Sequence, residues 1–190
     1  MSSIRLFILG SLSERGAMHG HGLRLLAEEE HIDQWADFGA GAVYGAIKRL
    51  SAEGLIEELR VEREGNYPER SVYGITAAGE SVLDQLRTDG LDTIVLRPDP
   101  VDLALTRLDR DRLDLVPEII HARIAELRHR HESWTARVPE IEQYLSLMEK
   151  QVMRHRLFRL QGEIDWHEEL LGALPEIIAD EKSRTGNHDD

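Results

Sequence analysis

The chain has 190 residues, 41% of them hydrophobic, no cysteine and a formal net charge of −13. That length buries a core for one domain or two small ones, and the missing cysteines exclude disulfides, thiol chemistry and cysteine-ligated zinc. Residues 1–76 carry 8 Lys/Arg against 12 Asp/Glu, hence −4, and the remainder carries −9, a balance that argues against tight non-specific binding to nucleic acid.

In chain order, Ile4, Leu6, Phe7, Ile8, Leu9 and Leu12 predict a first helix that is apolar on all sides and therefore interior. Gly16 closes it, where glycine adopts the left-handed conformation cheaply. Gly20 and Gly22 flank the start of a second helix, with Leu23, Leu26 and Ala27 on one face and a solvated Glu28-Glu29-Glu30 end. Trp35 anchors the connection that follows, with Phe38 beside it. In the third helix Val43, Ile47 and Leu50 recur at i, i+4, i+7 and predict a buried stripe. Tyr44, Lys48 and Ser51 repeat that spacing on a different face. Gly39, Ala40, Gly41 and Ala42 leave the helix start bare, so its N–H groups are open to a phosphate; Gly54 ends the helix. Leu55 to Val61 alternates as a half-buried strand, Gly65-Asn66-Tyr67-Pro68 is a turn, and Arg70, Val72, Tyr73 and Ile75 form the return strand. Thr76 caps a fourth helix with Glu80 in its first turn. Helix, helix, helix, strand, turn, strand is the order of a winged helix-turn-helix.

From Asp99 onward the pattern is helical. Val101, Leu103, Leu105 and Leu108 make a short apolar segment, and Pro117 either opens the next helix or kinks one begun near Asp109. Ile120, Ile124, Leu127 and Trp134 keep an interrupted 3-4 rhythm, with His131 at the remaining slot. Pro139 is expected to start the last long helix, where Ile141, Leu145, Met148 and Val152 continue that rhythm. Leu157, Leu160, Ile164, Leu171 and Leu174 follow until Pro175 disrupts the end. Apolar faces this narrow need a second copy, in the manner of a coiled-coil seam, and Ile141, Leu145, Met148 and Val152 are the expected dimerisation residues. The fold class is mostly α with a small β-hairpin wing: a winged helix-turn-helix over 1–92, a helical dimerisation and effector domain over 93–182, and a disordered tail over 183–190.

Four stretches resemble the PadR family of bacterial transcriptional regulators. They are His19-Gly20, the tyrosine-centred helix running from Tyr44 into Glu53-Gly54-Leu55-Ile56, the wing closure Tyr73, Thr76 and Gly79, and Glu163-Ile164-Asp165-Trp166. The motifs are strong over Ile4–Leu83 and looser beyond. The resemblance implies a homodimer that binds inverted-repeat operators through recognition helix and wing and dimerises through its C-terminal helices. It also implies a repressor released by a small hydrophobic or aromatic effector. The chain departs from the family pattern with Ala42-Val43 and Gly45 around the tyrosine and Tyr67-Pro68-Glu69-Arg70 in the wing, which supply fewer phosphate donors.

The candidate DNA-binding residues are Gly41, Ala42, Tyr44, Lys48, Arg63 and Arg70. Trp134 and Trp166 are the candidate effector residues, because indoles stack on flat ligands; packing of the helix core or dimer competes as their role. The His19/His21 and His129/His131 pairs are spaced i, i+2, point to different sides of a helix and make poor metal ligands, so no metal is expected. No nucleophile triad, phosphate loop or carboxylate pair stands out, so neither an enzyme nor a cofactor is expected. No window approaches the roughly 18 apolar residues of a membrane span, and the chain has no leader pattern, so the expected location is cytoplasmic. The expected partners are double-stranded DNA with an inverted-repeat operator, a second copy and a small effector. The rival reading is a winged-helix protein–protein interaction module without DNA binding, motivated by the −4 of the N-terminal half.

Overall fold

The computed structural model describes residues 2–63, 69–96 and 98–184, and the chain divides into two compact units, 1–96 and 97–190. The first unit runs α1 (Ser3–Arg15), β1 (Met18–His19), α2 (Gly20–Glu29), α3 (Val43–Ala52), β2 (Ile56–Glu62), β3 (Arg70–Ile75) and α4 (Ala77–Asp92), with 3-10 turns at Ile32–Gln34 and Ala40–Ala42. Its core is the set the apolar spacing selects: Ile8, Leu9 and Leu12 of α1, Leu23 of α2, Val43, Ile47 and Leu50 of α3, Ile56 and Leu83. Each such side chain stabilises the fold by about 1.5–3 kcal/mol relative to exposure.

Two backbone junctions hold α3 at a fixed angle to the sheet. Past its end, Gly54 adopts φ +73, the Leu55 N–H donates to the Leu50 carbonyl at 2.9 Å and the Gly54 N–H to Ser51 at 3.0 Å, the paired bonds of a glycine-closed helix end. Thr76 then joins that turn to α4. Its hydroxyl donates to the Gly54 carbonyl at 2.8 Å and accepts the Gly79 N–H at 3.1 Å. Position 79 must be glycine, because a Cβ there would lie 2.1 Å from the Leu55 carbonyl oxygen.

The wing is more than the expected hairpin. Met18 and His19 form a third strand, pairing antiparallel with Tyr73 and Val72, so the sheet order is β1-β3-β2. The half-buried alternation expected of Leu55–Val61 does not hold either. Ile56 is the one buried residue of β2, and Leu59 and Val61 are half exposed, because β2 is an edge strand whose register shifts between Glu58 and Arg60. Leu59 lies over Gly74, where a Cβ would come within 2.7 Å of it. The expected turn at Gly65–Pro68 lies outside the described residues.

The second unit consists of α5 (Pro100–Leu105), a 3-10 stretch over Arg110–Leu115, α6 (Val116–Ile141) and α7 (Leu147–Ser183). α6 and α7 run antiparallel: Arg123 meets His167 and Arg156 covers Trp134. Pro117 stands in the first turn of α6, where a missing N–H is harmless. Three expectations are corrected. Pro139 does not open the last helix; it lies in the final turn of α6, unable to donate to the Thr135 carbonyl. The opening belongs to Ser146, whose hydroxyl accepts the Glu149 N–H at 3.2 Å while the Glu149 carboxylate accepts the Ser146 N–H at 2.7 Å, a capping box. Pro175 does not end α7, which continues to Ser183, because Leu174, Ile177 and Ile178 on both sides of it pack on Val116, Ile120 and Ile124. Ser183, expected to begin the tail, is thus helical; 185–190 lie outside the described residues.

Candidate nucleic-acid interface

α3 buries Val43, Ala46, Ile47 and Leu50 and turns Tyr44, Lys48, Arg49 and Ser51 outward. Its start carries no side-chain cap, and Gly41 and Ala42 are exposed there, but the N–H groups expected to be open are not. In the 3-10 turn that leads into α3 the Ala42 N–H donates to the Gly39 carbonyl at 3.0 Å and the Val43 N–H to that of Ala40, so small size alone marks this end. Tyr44 is 50% exposed, and its ring lies against the start of α2: a Cβ at Gly20 would sit 3.2 Å from Tyr44 Cε1 and from Ile47 Cδ1. The glycine therefore leaves room for the phenol ring against α2.

Between α3 and the sheet opens a cleft of about 680 Å³. Tyr44, Lys48 and Ser51 line it from the helix, Arg70, Ser71 and Tyr73 from β3, and His19 and His21 from β1 and the start of α2. Two cations and hydroxyl donors thus converge on one concavity beside two imidazoles, and the cations and hydroxyls suit a phosphodiester backbone. Glu69 lines it as well. Of the expected DNA-binding residues, the structure brings Tyr44, Lys48 and Arg70 together. Gly41 and Ala42 sit at the N-terminal end of α3, and Arg63 is exposed just beyond β2. Arg49, one residue after Lys48, is not part of the lining.

His19 and His21 are the lining residues that sequence reasoning set aside. His19 is the N-cap of α2, its Nδ1 accepting the Gly22 N–H at 2.7 Å. A side-chain acceptor directly before a helix start is the signal that finds it.

The expected effector and dimer residues are dispersed. Trp134 is buried beneath the Arg156 guanidinium, 4.3 Å from the ring centroid. Trp166 is 39% exposed and meets His167 edge-on at 4.7 Å. Because Arg156 stands level with Trp134, the two indoles are about 15 Å apart along the helix pair at ~1.5 Å per residue. Burial first, then the neighbouring Arg130 and Arg159, pulls the Arg156 pKa below the ordinary arginine value, and its buried Nε has no hydrogen-bond partner among the described residues. Ile141 ends α6, Leu145 lies in extended backbone, and Met148 and Val152 are exposed on α7. The four therefore do not form one continuous helical stripe.

Among the described residues no cluster of metal-ligating side chains occurs, and no helix is long and apolar enough to cross a membrane. Residues 8–85 match the sequence model of the transcriptional regulator PadR-like family. No curated protein matches the chain in sequence. Among solved structures, Bacillus subtilis PadR in complex with operator DNA is 20% identical over 92% of this chain and 98% of its own, with a TM-score of 0.67. The same protein in complex with p-coumaric acid is 18% identical over 90% and 98%, at 0.66. The PadR-like transcriptional regulator BC1756 from Bacillus cereus is 15% identical over 91% and 98%, at 0.63. At these identities the likeness is one of fold, and it spans both units.

Proposed function

We propose, from the match of residues 8–85 to the model of the transcriptional regulator PadR-like family, that the chain is a homodimeric, cytoplasmic repressor that binds an inverted-repeat operator. The observation that carries this reading is the cleft in which Tyr44 and Lys48 of α3 face Arg70 of β3. The start of α3 enters the major groove with Gly41 and Ala42 leading, and the cleft, with Arg63 beyond β2, takes the adjoining backbone. Two copies related by two-fold symmetry read half-sites roughly one helical turn apart. Support for the second copy comes from Leu147, Met148, Val152 and Phe158 of α7, all exposed and apolar, which a partner helix would cover.

The repressor responds to a small hydrophobic or aromatic effector taken up in the second unit beside Trp134 or Trp166. The p-coumaric acid complex of Bacillus subtilis PadR supports an aromatic ligand. A ligand shifts the spacing of the two wings only if it prefers one spacing over the other.

Selection of duplexes from a random-sequence library by the full chain tests the DNA reading. The expected product is an inverted repeat whose binding falls steeply with salt, as counterion release demands. Enrichment of no sequence at low salt would overturn it and leave the acidic winged unit as a protein-interaction module.

A further inference from the structure

His19 and His21 stand in the cleft without a role in the reading above, on which this inference rests. His19 spends Nδ1 on the Gly22 N–H, so the ring proton of the neutral imidazole sits on Nε2, a donor on the far side of the ring. A cap needs only an acceptor, and Asn, Asp or Ser supplies that better; histidine adds the second nitrogen. His21 stacks on it, with centroids 6.1 Å apart and planes inclined by 25°, and among the described residues its ring has no hydrogen-bond partner. Lys48 and Tyr44 line the cleft with the pair from α3, Arg70 and Tyr73 from β3 and Glu69 from just before it, and Arg24, bonded to Glu28, follows on α2 itself.

We propose that His19 and His21 form a stacked imidazole pair that contacts the DNA backbone beside Lys48, with His21 taking up a proton as it does so. Lys48, Arg70 and Glu69 line the cleft with the pair. A phosphate entering the cleft brings a negative charge beside the imidazole, so DNA and proton bind together, and by linkage lower pH tightens DNA binding within the range where histidines change charge. The His19 Nε2–H supplies a neutral donor to the same backbone.

The test uses the full chain and a duplex enriched from the random library, titrated at pH about 8 and about 6 at fixed ionic strength. The wild type is expected to bind roughly three- to tenfold more tightly at the lower pH, with a salt slope steeper by about one contact. His21→Gln keeps a polar side chain that cannot be charged; it weakens binding at both pH values and abolishes the pH response. His19→Asn keeps the capping acceptor and removes the Nε2 donor, so it holds the melting temperature and weakens binding at both pH values. A wild-type pH response retained in His21→Gln overturns the proposal, whatever His19→Asn does. So does wild-type affinity in a folded His19→Asn. A wild type that binds no duplex at either pH overturns the DNA reading itself, and the proposal with it.

Discussion

Gly20 shows how a single residue sets the site. With a Cβ at that position the Tyr44 ring and Ile47 would each have to yield by a few tenths of an ångström. Tyr44 and Lys48 stand one helical turn apart off the buried Val43–Ile47–Leu50 stripe, so both can be altered without touching the core. Lys48→Ala is expected to weaken operator binding and flatten its salt dependence by about one contact, since one fewer counterion is released. Arg49→Ala, outside the cleft lining, is expected to change both less. Tyr44→Phe removes one hydroxyl donor and should cost about 1 kcal/mol of binding, with unfolding unchanged. Titrations at two salt concentrations separate the three variants, and an Arg49 effect larger than that of Lys48 would move the contact surface off the cleft.

At the scale of elements, caps and prolines decide where helices begin and end. α7 runs through Pro175 although the ring removes a backbone bond, because the apolar residues around it are packed. Pro175→Ala should therefore stabilise the second unit by roughly 1–3 kcal/mol, read as a rise in melting temperature; a fall would mean the ring itself is a required contact. The start of α5 depends on one carboxylate. Asp99 accepts the Val101 N–H at 2.9 Å and the Arg123 guanidinium at 2.8 Å, and the backbone bond first, then Arg123, lowers its pKa below the ordinary 3.8. A depressed carboxylate contributes stability that is present above its unfolded pKa and lost as pH falls through the folded one. Asp99→Asn, which keeps a cap but no charge, should thus flatten the acid side of the stability curve below about pH 4. These same elements mark what the sequence could and could not convey. α3, its glycine end and the Tyr44/Lys48 face were legible because period and punctuation agree within one short helix. β1 was not, because two residues carry no periodicity and are a strand solely through pairing with β3. A proline reads equally as a helix start or interior, and at Pro175 packing decided it. The capping box Ser146-x-x-Glu149 was present as a local signal, and the long stripe expected across it hid the break. The i, i+2 spacing of His19 and His21 argued them apart, whereas a strand-to-helix junction stacks them.

For the whole molecule, charge and dimerisation are one problem. Each chain carries −13, so long-range electrostatics repel DNA, and affinity must come from a few cations brought close to phosphate. One winged unit offers Lys48 and Arg70 in its cleft, with Glu69 beside them, a thin set of contacts. Two units held on one operator convert the second encounter into an intramolecular one, which multiplies affinity without new contacts. On the proposed reading a molecule of this charge would depend on a dimer for specificity: wrong sequences, held through one unit, would lose to the repulsion. The exposed apolar residues of α7, Leu147 at 83% and Met148 at 73%, are where the second copy is expected. Leu147→Asp with Met148→Asp would bury two charges at that seam. The double variant should sediment as a folded monomer at micromolar concentration and bind an isolated half-site as the wild type does, while losing roughly 100-fold or more on the full inverted repeat. A wild type that is itself monomeric at that concentration, or a monomeric variant that keeps full-repeat affinity, would break the link between dimer and DNA.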